Sequence, residues 1–545
     1  MFYKARLNIY YFSVFLTVFL LAFSVIFNLE GAQAMISKKD MGTLAAEAEL
    51  ILTGKVTALQ SVWEGKKIYT YVTVSTRDSF KGTEEKEVII KVPGGTVGEI
   101  TCHVSDTPAF KKGEEILVFL KSRGMYYELA GAQQGKYTIK KDEVMGLNVT
   151  VNGIPALISG RIMEEQEVKK GGTEPEPDKT NRQFSSLPQN IVEKGNGPIP
   201  EITDISPDFG PAIKKDLTVY DAAEDSTQVA ISGINFGSSQ GMAAFWAGQG
   251  DSEFTYATIK SWSDNQIVCL VPGGANSYYS DRVTGNVFVV TGDGLVSEPA
   301  LFRVTYSCMG GKVPGNKLTY KVNANTPDYV GEENSVQEAG NAWNNAGANF
   351  EFEYSGATHK TSVDLDSENS VVWVNEGNTG WLAQTWIWWY TSDPASILES
   401  DIEFNDYYLW SSAASCPSGK RDVQGIAVHE LGHSLGLLDL YGTADLEKTM
   451  YGNSSPGEIK KRTLEQDDID GIKYLYGLFV PDSAIEGVVR LEKVNSTDPE
   501  QDSPLADNSG TEVRVFQQGS QVKSSLSEKD GSYQVDGLAA GMYDV

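Results

Sequence analysis

Histidine and cysteine are the scarce residues of this chain, with four of each among 545 residues. So few cysteines exclude a fold held together by a disulfide framework. So few histidines mean that any histidine-based metal site must draw on His103, His359, His429 and His433. Positive charge is also short: 45 Lys and Arg stand against 73 Asp and Glu. That balance argues against nucleic acid or an anionic membrane surface as a partner and fits solubility in an extracellular medium. Beyond the first 34 residues no run is apolar enough to cross a bilayer. Apolar content is ordinary, so large cores are available, and the length predicts about three to five domains.

What is present begins with a targeting segment, residues 1–34. Lys4 and Arg6 give a basic start, Tyr10 to Phe27 is an almost unbroken apolar run, and Ala32-Gln33-Ala34 fits a small-x-small cleavage site. Cleavage predicts a secreted protein. Retention of the run, which is nearly long enough to span, would instead anchor the chain to a membrane. Both readings put the remainder outside the cytoplasm.

Residues 35–165 read as short strands such as KIYTYVTVSTRD, KEVIIKVPG and EILVFLKS, separated by turn residues. They predict a small β-barrel or sandwich, vaguely similar to the OB-like domains that precede some secreted bacterial peptidases. Cys102 falls in this region and reads as a buried strand thiol. Residues 166–199 are rich in charge, Pro, Gly and Ser and read as a protease-sensitive linker. In residues 200–307, Ser206, Pro207, Gly210, Gly233, Asn235, Phe236 and Gly237, with Trp262-Ser263-Asp264, resemble the TIG/IPT module. That is an immunoglobulin-like sandwich, and the resemblance implies binding an unknown surface partner, or spacing, but no chemistry. Residues 481–545 resemble the start of a carboxypeptidase-regulatory-like β-sandwich. The chain stops inside an apparent strand, which reads as a fragment.

The chemistry is concentrated in HELGHSLGLLD, His429 to Asp439. On a helix, His429 and His433 project from one face and can hold one metal ion. Glu430 lies where its carboxylate reaches a metal-bound water rather than the metal. Gly436 lets the helix stop and the chain turn back, which brings Asp439 round as a third ligand. Three protein ligands plus water is the arrangement of a catalytic zinc. Asp445, Glu447 and Glu458 are the alternative third ligands, with Asp439 then only capping the turn. Val428, Leu431 and Leu435 should form the buried stripe of this helix, with the histidines facing a cleft. Ser335 to Asn345 predicts a second helix with Val336, Ala339 and Trp343 inward. The four tryptophans between Trp381 and Tyr390 are either core or the lining of a substrate cleft.

The longer pattern resembles the metzincin signature, with Asp439 where the commoner form has His, as in the snapalysin type. Met450 in TMYG sits where a Met-turn is expected. TLEQDDIDGIKYLYG and WLAQTWIWWY…ILESDIEFND are similar to matrixin segments, in the family's order. Residues 308–480 thus read as a matrixin-like zinc metalloendopeptidase domain, α+β, with a mixed twisted sheet, an active-site helix and a C-terminal helix; all-β domains flank it. The resemblance implies Glu430 as general base, His429, His433 and Asp439 on zinc, and protein or peptide substrates. It also implies a substrate strand laid along an edge strand at Leu382, Ala383, Gln384 and Thr385, with Tyr451 starting the wall of the specificity pocket. A second, histidine-rich structural zinc is excluded by the histidine count. Calcium is an option at Asp401, Glu403, Asn405 and Asp406. Cys308 and Cys416 have the compartment for a disulfide. The rival function is an adhesive or scaffold protein with an inactive peptidase-like domain.

Overall fold

The structure is a computed structural model that describes residues 39, 41–141, 149–150, 197–247, 254–277, 285–323, 331–478, 483–493, 503–504, 507–517, 519–538 and 543–545. The expected targeting segment and nearly all of the expected linker lie outside them. No described helix is long and apolar enough to cross a membrane. The chain forms two compact units, Met1–Ala346 with Glu351–Leu475, and Gly347–Phe350 with Tyr476–Val545. In the smaller unit, strand Ser483–Val488 pairs with Ser532–Leu538 and Glu512–Gln517 with Ser520–Leu526. Val515 and Val535 make its small core.

The larger unit begins with helix α1 (Met41–Glu47) and strands β1 (Leu50–Glu64), β2 (Lys67–Lys81) and β3 (Glu87–Pro93). Then come β4 (Gly95–Val97), β5 (Ile100–Val104), β6 (Glu115–Ser122) and β7 (Tyr127–Leu129). β1 pairs with β2, β2 with β3, β3 in parallel with β7, β7 with β6, and β6 back with β1. The ring of five strands is closed, which removes its edges. Alternate residues point inward, as a half-buried strand requires: Val88, Ile90 and Val92 of β3 meet Val72, Val74, Ile116 and Val118 in one core.

Residues 200–307 build three small sheets. Val229, Ile231, Phe245, Ile267 and Val289 from these sheets share a single core with Phe302.

The remaining elements are β8 (Lys317–Val322), α2 (Glu332–Asn344), β9 (Glu351–Ala357), β10 (Asn369–Val374), β11 (Ala383–Tyr390) and β12 (Glu399–Asn405). Helices α3 (Val423–Leu435) and α4 (Gln466–Tyr476) follow. The sheet order is β9-β8-β10-β12-β11-β5-β4. Strands β8, β9, β10 and β12 run parallel, while β11 is antiparallel to β12. α2 buries Val336, Ala339 and Trp343 as expected, and the Trp343 indole donates to Val428 O of α3 at 2.7 Å.

One expectation needs correction, and two open alternatives are decided. β11 is not an edge strand: the β4–β5 hairpin leaves the N-terminal barrel and pairs with it, Val104 opposite Trp386 through Ile100 opposite Tyr390. Trp386, Trp388 and Trp389 are buried rather than lining an open cleft, and the first two join Ile68, Cys102 and Val104 in a core shared with that hairpin. Cys308 and Cys416 are both free thiols, Cys308 in the core and Cys416 turned toward Lys420 O. At the start of α4, the Thr463 hydroxyl donates to Lys460 O, and Asp468 gathers Glu465 N and the Met450 turn.

Candidate metal centre

Helix α3 starts where Asp422 caps it, accepting from Gly425 N at 2.8 Å, and Arg462 clamps the same carboxylate. It ends at Gly436, whose φ of 106° belongs to the left-handed region. A side chain there would also strike Gly311 O at 2.3 Å, so glycine is required twice over. The turn carries Asp439 back over the helix. His429 Nε2 lies 3.1 Å and His433 Nε2 3.6 Å from Asp439 Oδ1. Tetrahedral ligands on zinc stand about 3.4 Å apart.

The other nitrogen of each ring is already committed. His429 Nδ1 meets Thr449 O at 2.7 Å and His433 Nδ1 meets Leu437 O at 3.0 Å. A carbonyl can only accept, so Nδ1 carries the proton and each Nε2 offers its lone pair. Burial pushes His429 down to about 4, which keeps the ring neutral as a ligand must be. His429 Nε2, His433 Nε2 and Asp439 Oδ1 are buried without a hydrogen-bond partner. Orphaned atoms at this spacing are costly unless an ion satisfies them, so the residues fit a zinc ion.

Glu430 is beside them. Its Oε2 accepts from Thr385 Oγ1 at 2.6 Å, whereas its Oε1 has no partner. Burial pushes its pKa up to about 7, against the lowering effects of His433 and Thr385.

Met450 is buried under α3. A Cβ added to Gly432 would sit 2.3 Å from the Met450 sulfur, so glycine lets the turn approach the helix. Asp468 accepts from Thr449 N and Met450 N, and the buried Lys461 ammonium donates to the carbonyls of Lys448, Thr449 and Tyr451. Thr449 O thus ties the turn to His429 and Lys461 together. Lys461 and Asp468 were missed by sequence reasoning: KKRTLEQDD looks like a solvated charge run and carries no sign that two of its members are buried.

The other expected residues are distributed as follows. Leu382, Ala383, Gln384 and Thr385 are buried along β11 and its entry. Gln384 and Thr385 are already bonded to Ser105. Tyr451 is buried beside the Met450 turn. Asp445 and Glu447 pair with Lys448 and Lys460 respectively, and Glu458 accepts from Ser455 N. Among the described residues the one three-membered group of close metal-ligating atoms is His429, His433 and Asp439. The calcium candidates do not converge: Asp401 accepts from Ser370 N and Asp364 N, and Glu403 pairs with Lys67 at 3.2 Å. α3 differs from a helix with one buried stripe, since His429 and Glu430 are fully buried and His433 is 2 % exposed.

Comparison with known proteins bears on this region. The matrixin family model matches residues 312–477. Mouse stromelysin-1 is 36 % identical over 113 residues, covering 20 % of this chain and 21 % of that protein. Matrix metalloproteinase-18 of Xenopus laevis is 27 % identical over 173 residues, 29 % of this chain and 32 % of that protein. Metalloendoproteinase 1 of Glycine max is 49 % identical over 57 residues, 10 % of this chain and 17 % of that protein. The chain therefore spans a third or less of the length of these relatives. Residues 312–477, with His429, Glu430 and His433 on their buried helix, carry a matrixin domain.

Proposed function

We propose that this protein is a zinc-dependent endopeptidase that hydrolyses peptide bonds of extracellular proteins or peptides. The observation that carries the reading is the trio of unpartnered ligand atoms beside the unpartnered Glu430 Oε1. His429, His433 and Asp439 would hold the zinc, which when bound supplies Lewis acidity toward a water and the scissile carbonyl.

The chain's own groups do the rest. Thr385 Oγ1 fixes Glu430 through Oε2 and leaves Oε1 to take a proton from the attacking water. A carboxylate held beside the attacking water can both accept that proton and return it to the departing amine. Water oxygen then ends on the carbonyl carbon, the C–N bond is broken, and Glu430 is restored. Backbone carbonyls at Thr449 and Leu437 hold both imidazoles in the ligating tautomer throughout. The acidic balance and the leader of residues 1–34 support an extracellular location. Residues 200–307 would serve as a TIG-like binding or spacing module.

Zinc analysis together with hydrolysis of casein tests this. Bound zinc, and hydrolysis abolished both by o-phenanthroline and by Glu430→Ala, is expected. A protein that binds no zinc, or hydrolysis that survives Glu430→Ala, overturns it.

A further inference from the structure

β11 presents backbone N–H and C=O groups beside the metal centre, and an extended peptide could add to it as a strand. Those groups are taken. β5 pairs antiparallel with β11 over Ile100 to Val104. The chain then continues along the same line toward the metal residues. Ser105 N donates to Thr385 O at 3.0 Å, Thr385 N donates to Ser105 Oγ at 2.9 Å, and Gln384 Nε2 donates to Ser105 O at 3.0 Å. Thr385 is the residue that fixes Glu430.

The next residue, Asp106, turns with a φ of 58° and is buried. Its Oδ1 accepts from Gln133 at 3.1 Å and Tyr441 at 3.3 Å, while its Oδ2 has no partner. Through Tyr441, two residues from Asp439, this buried acid reaches the turn that carries the proposed third ligand. The barrel is braced around the same strand. Tyr69 packs edge-on to Trp386, Lys67 pairs with Glu403, Lys121 Nζ donates to Asn378 O at 2.5 Å, and the Gly131 backbone abuts Gly380. His429, Glu430 and His433 on the adjoining helix are almost completely buried. A thiol is not involved, because Cys102 points into the tryptophan core on the other face of the sheet.

We propose that the N-terminal barrel is a built-in inhibitor of the peptidase site: its β4–β5 hairpin occupies the strand position that substrate needs, Ser105 and Asp106 plug the approach to the metal residues, and the chain is latent until the hairpin leaves. This rests on the peptidase reading for what is inhibited. A substrate that pairs with β11 must take the very hydrogen bonds that Ser105 and β5 hold.

The test uses the full chain and two variants. Ser105→Pro removes the N–H and the hydroxyl that bind Thr385; Asp106→Ala truncates the plug without touching a strand or the barrel core. Three quantities are read: binding of a fluorescent peptide hydroxamate, hydrolysis of an internally quenched peptide library, and amide exchange over residues 384–390. In the unmodified chain, weak hydroxamate binding, slow hydrolysis and protected amides are expected. Ser105→Pro should raise hydroxamate affinity and hydrolysis at least tenfold and expose the amides, and Asp106→Ala should raise the first two by at least threefold. Hydroxamate binding equally tight in all three proteins, or β11 amides that exchange freely in the unmodified chain, would overturn the proposal, and the second result needs no variant to fold. Variants that bind hydroxamate more tightly yet hydrolyse nothing would keep the inhibitory hairpin and refute the peptidase reading instead.

Discussion

The metal residues and their supports come from one run of chain, Asp422 to Asp468, whereas the strand beside them is bonded to a residue 280 positions upstream. The first wall is mostly local: a capped helix, a glycine turn and a tied loop place His429, His433, Asp439 and Met450, with Ser307 and Met309 pinning the turn after Gly436. The second is a matter of topology, since β11 is flanked by β12 of its own domain and by a hairpin of another. Chemistry is thus built by short-range rules, and access to it by a long-range contact. The two can be altered separately.

The largest expected effect is on the local wall. Glu430→Ala, combined with Ser105→Pro so that access does not limit the rate, should keep its zinc and lose peptide hydrolysis by about 10³-fold or more, because the base is gone while the ligands remain. Elemental analysis and the quenched-peptide assay check both halves; retention of a tenth of the activity would rule out the role assigned to Glu430.

Next comes Asp439. Asp439→Ala should bring zinc from one per chain toward none after dialysis, since two imidazoles do not make a closed site. Asp439→His should restore the stoichiometry. Unchanged zinc affinity in the alanine variant would move the third ligand to another residue.

The supports rank below the ligands. Lys461→Met leaves three buried carbonyls without their ammonium and should destabilise this unit by about 2–4 kcal/mol. The drop should appear as a lower thermal midpoint of the zinc-loaded chain, and an unchanged midpoint would deny Lys461 its role as tie of the Met450 turn. Gly432→Ala should have the smallest effect, about 1–3 kcal/mol from overpacking against the Met450 sulfur. It is smallest because a thioether can swing aside. Differential scanning calorimetry would separate it from Lys461→Met.

The same division explains what was legible in the sequence. HELGHSLGLLD places its own residues because helical spacing and a glycine turn are local rules, and α2 was legible from Val336, Ala339 and Trp343 for the same reason. The strands of the barrel announced themselves by alternation. Nothing in ITCHVSD says that it pairs with WIWW rather than within its own barrel, because both partners are ordinary β sequence and strand pairing leaves no local mark. The tryptophans looked equally suited to core or cleft until their partner strand was known. Lys461 and Asp468 were illegible for a related reason: burial of a charged residue depends on carbonyls and amides brought from other turns.

The eight residues of β11, AQTWIWWY, include four aromatics and no charge. Bared along one side, such a segment is a template for sheet growth between molecules. Whatever draws the β4–β5 hairpin away therefore creates an adhesive surface at the same moment as an accessible one. An opened molecule that is not promptly covered by another peptide should be the form that self-associates.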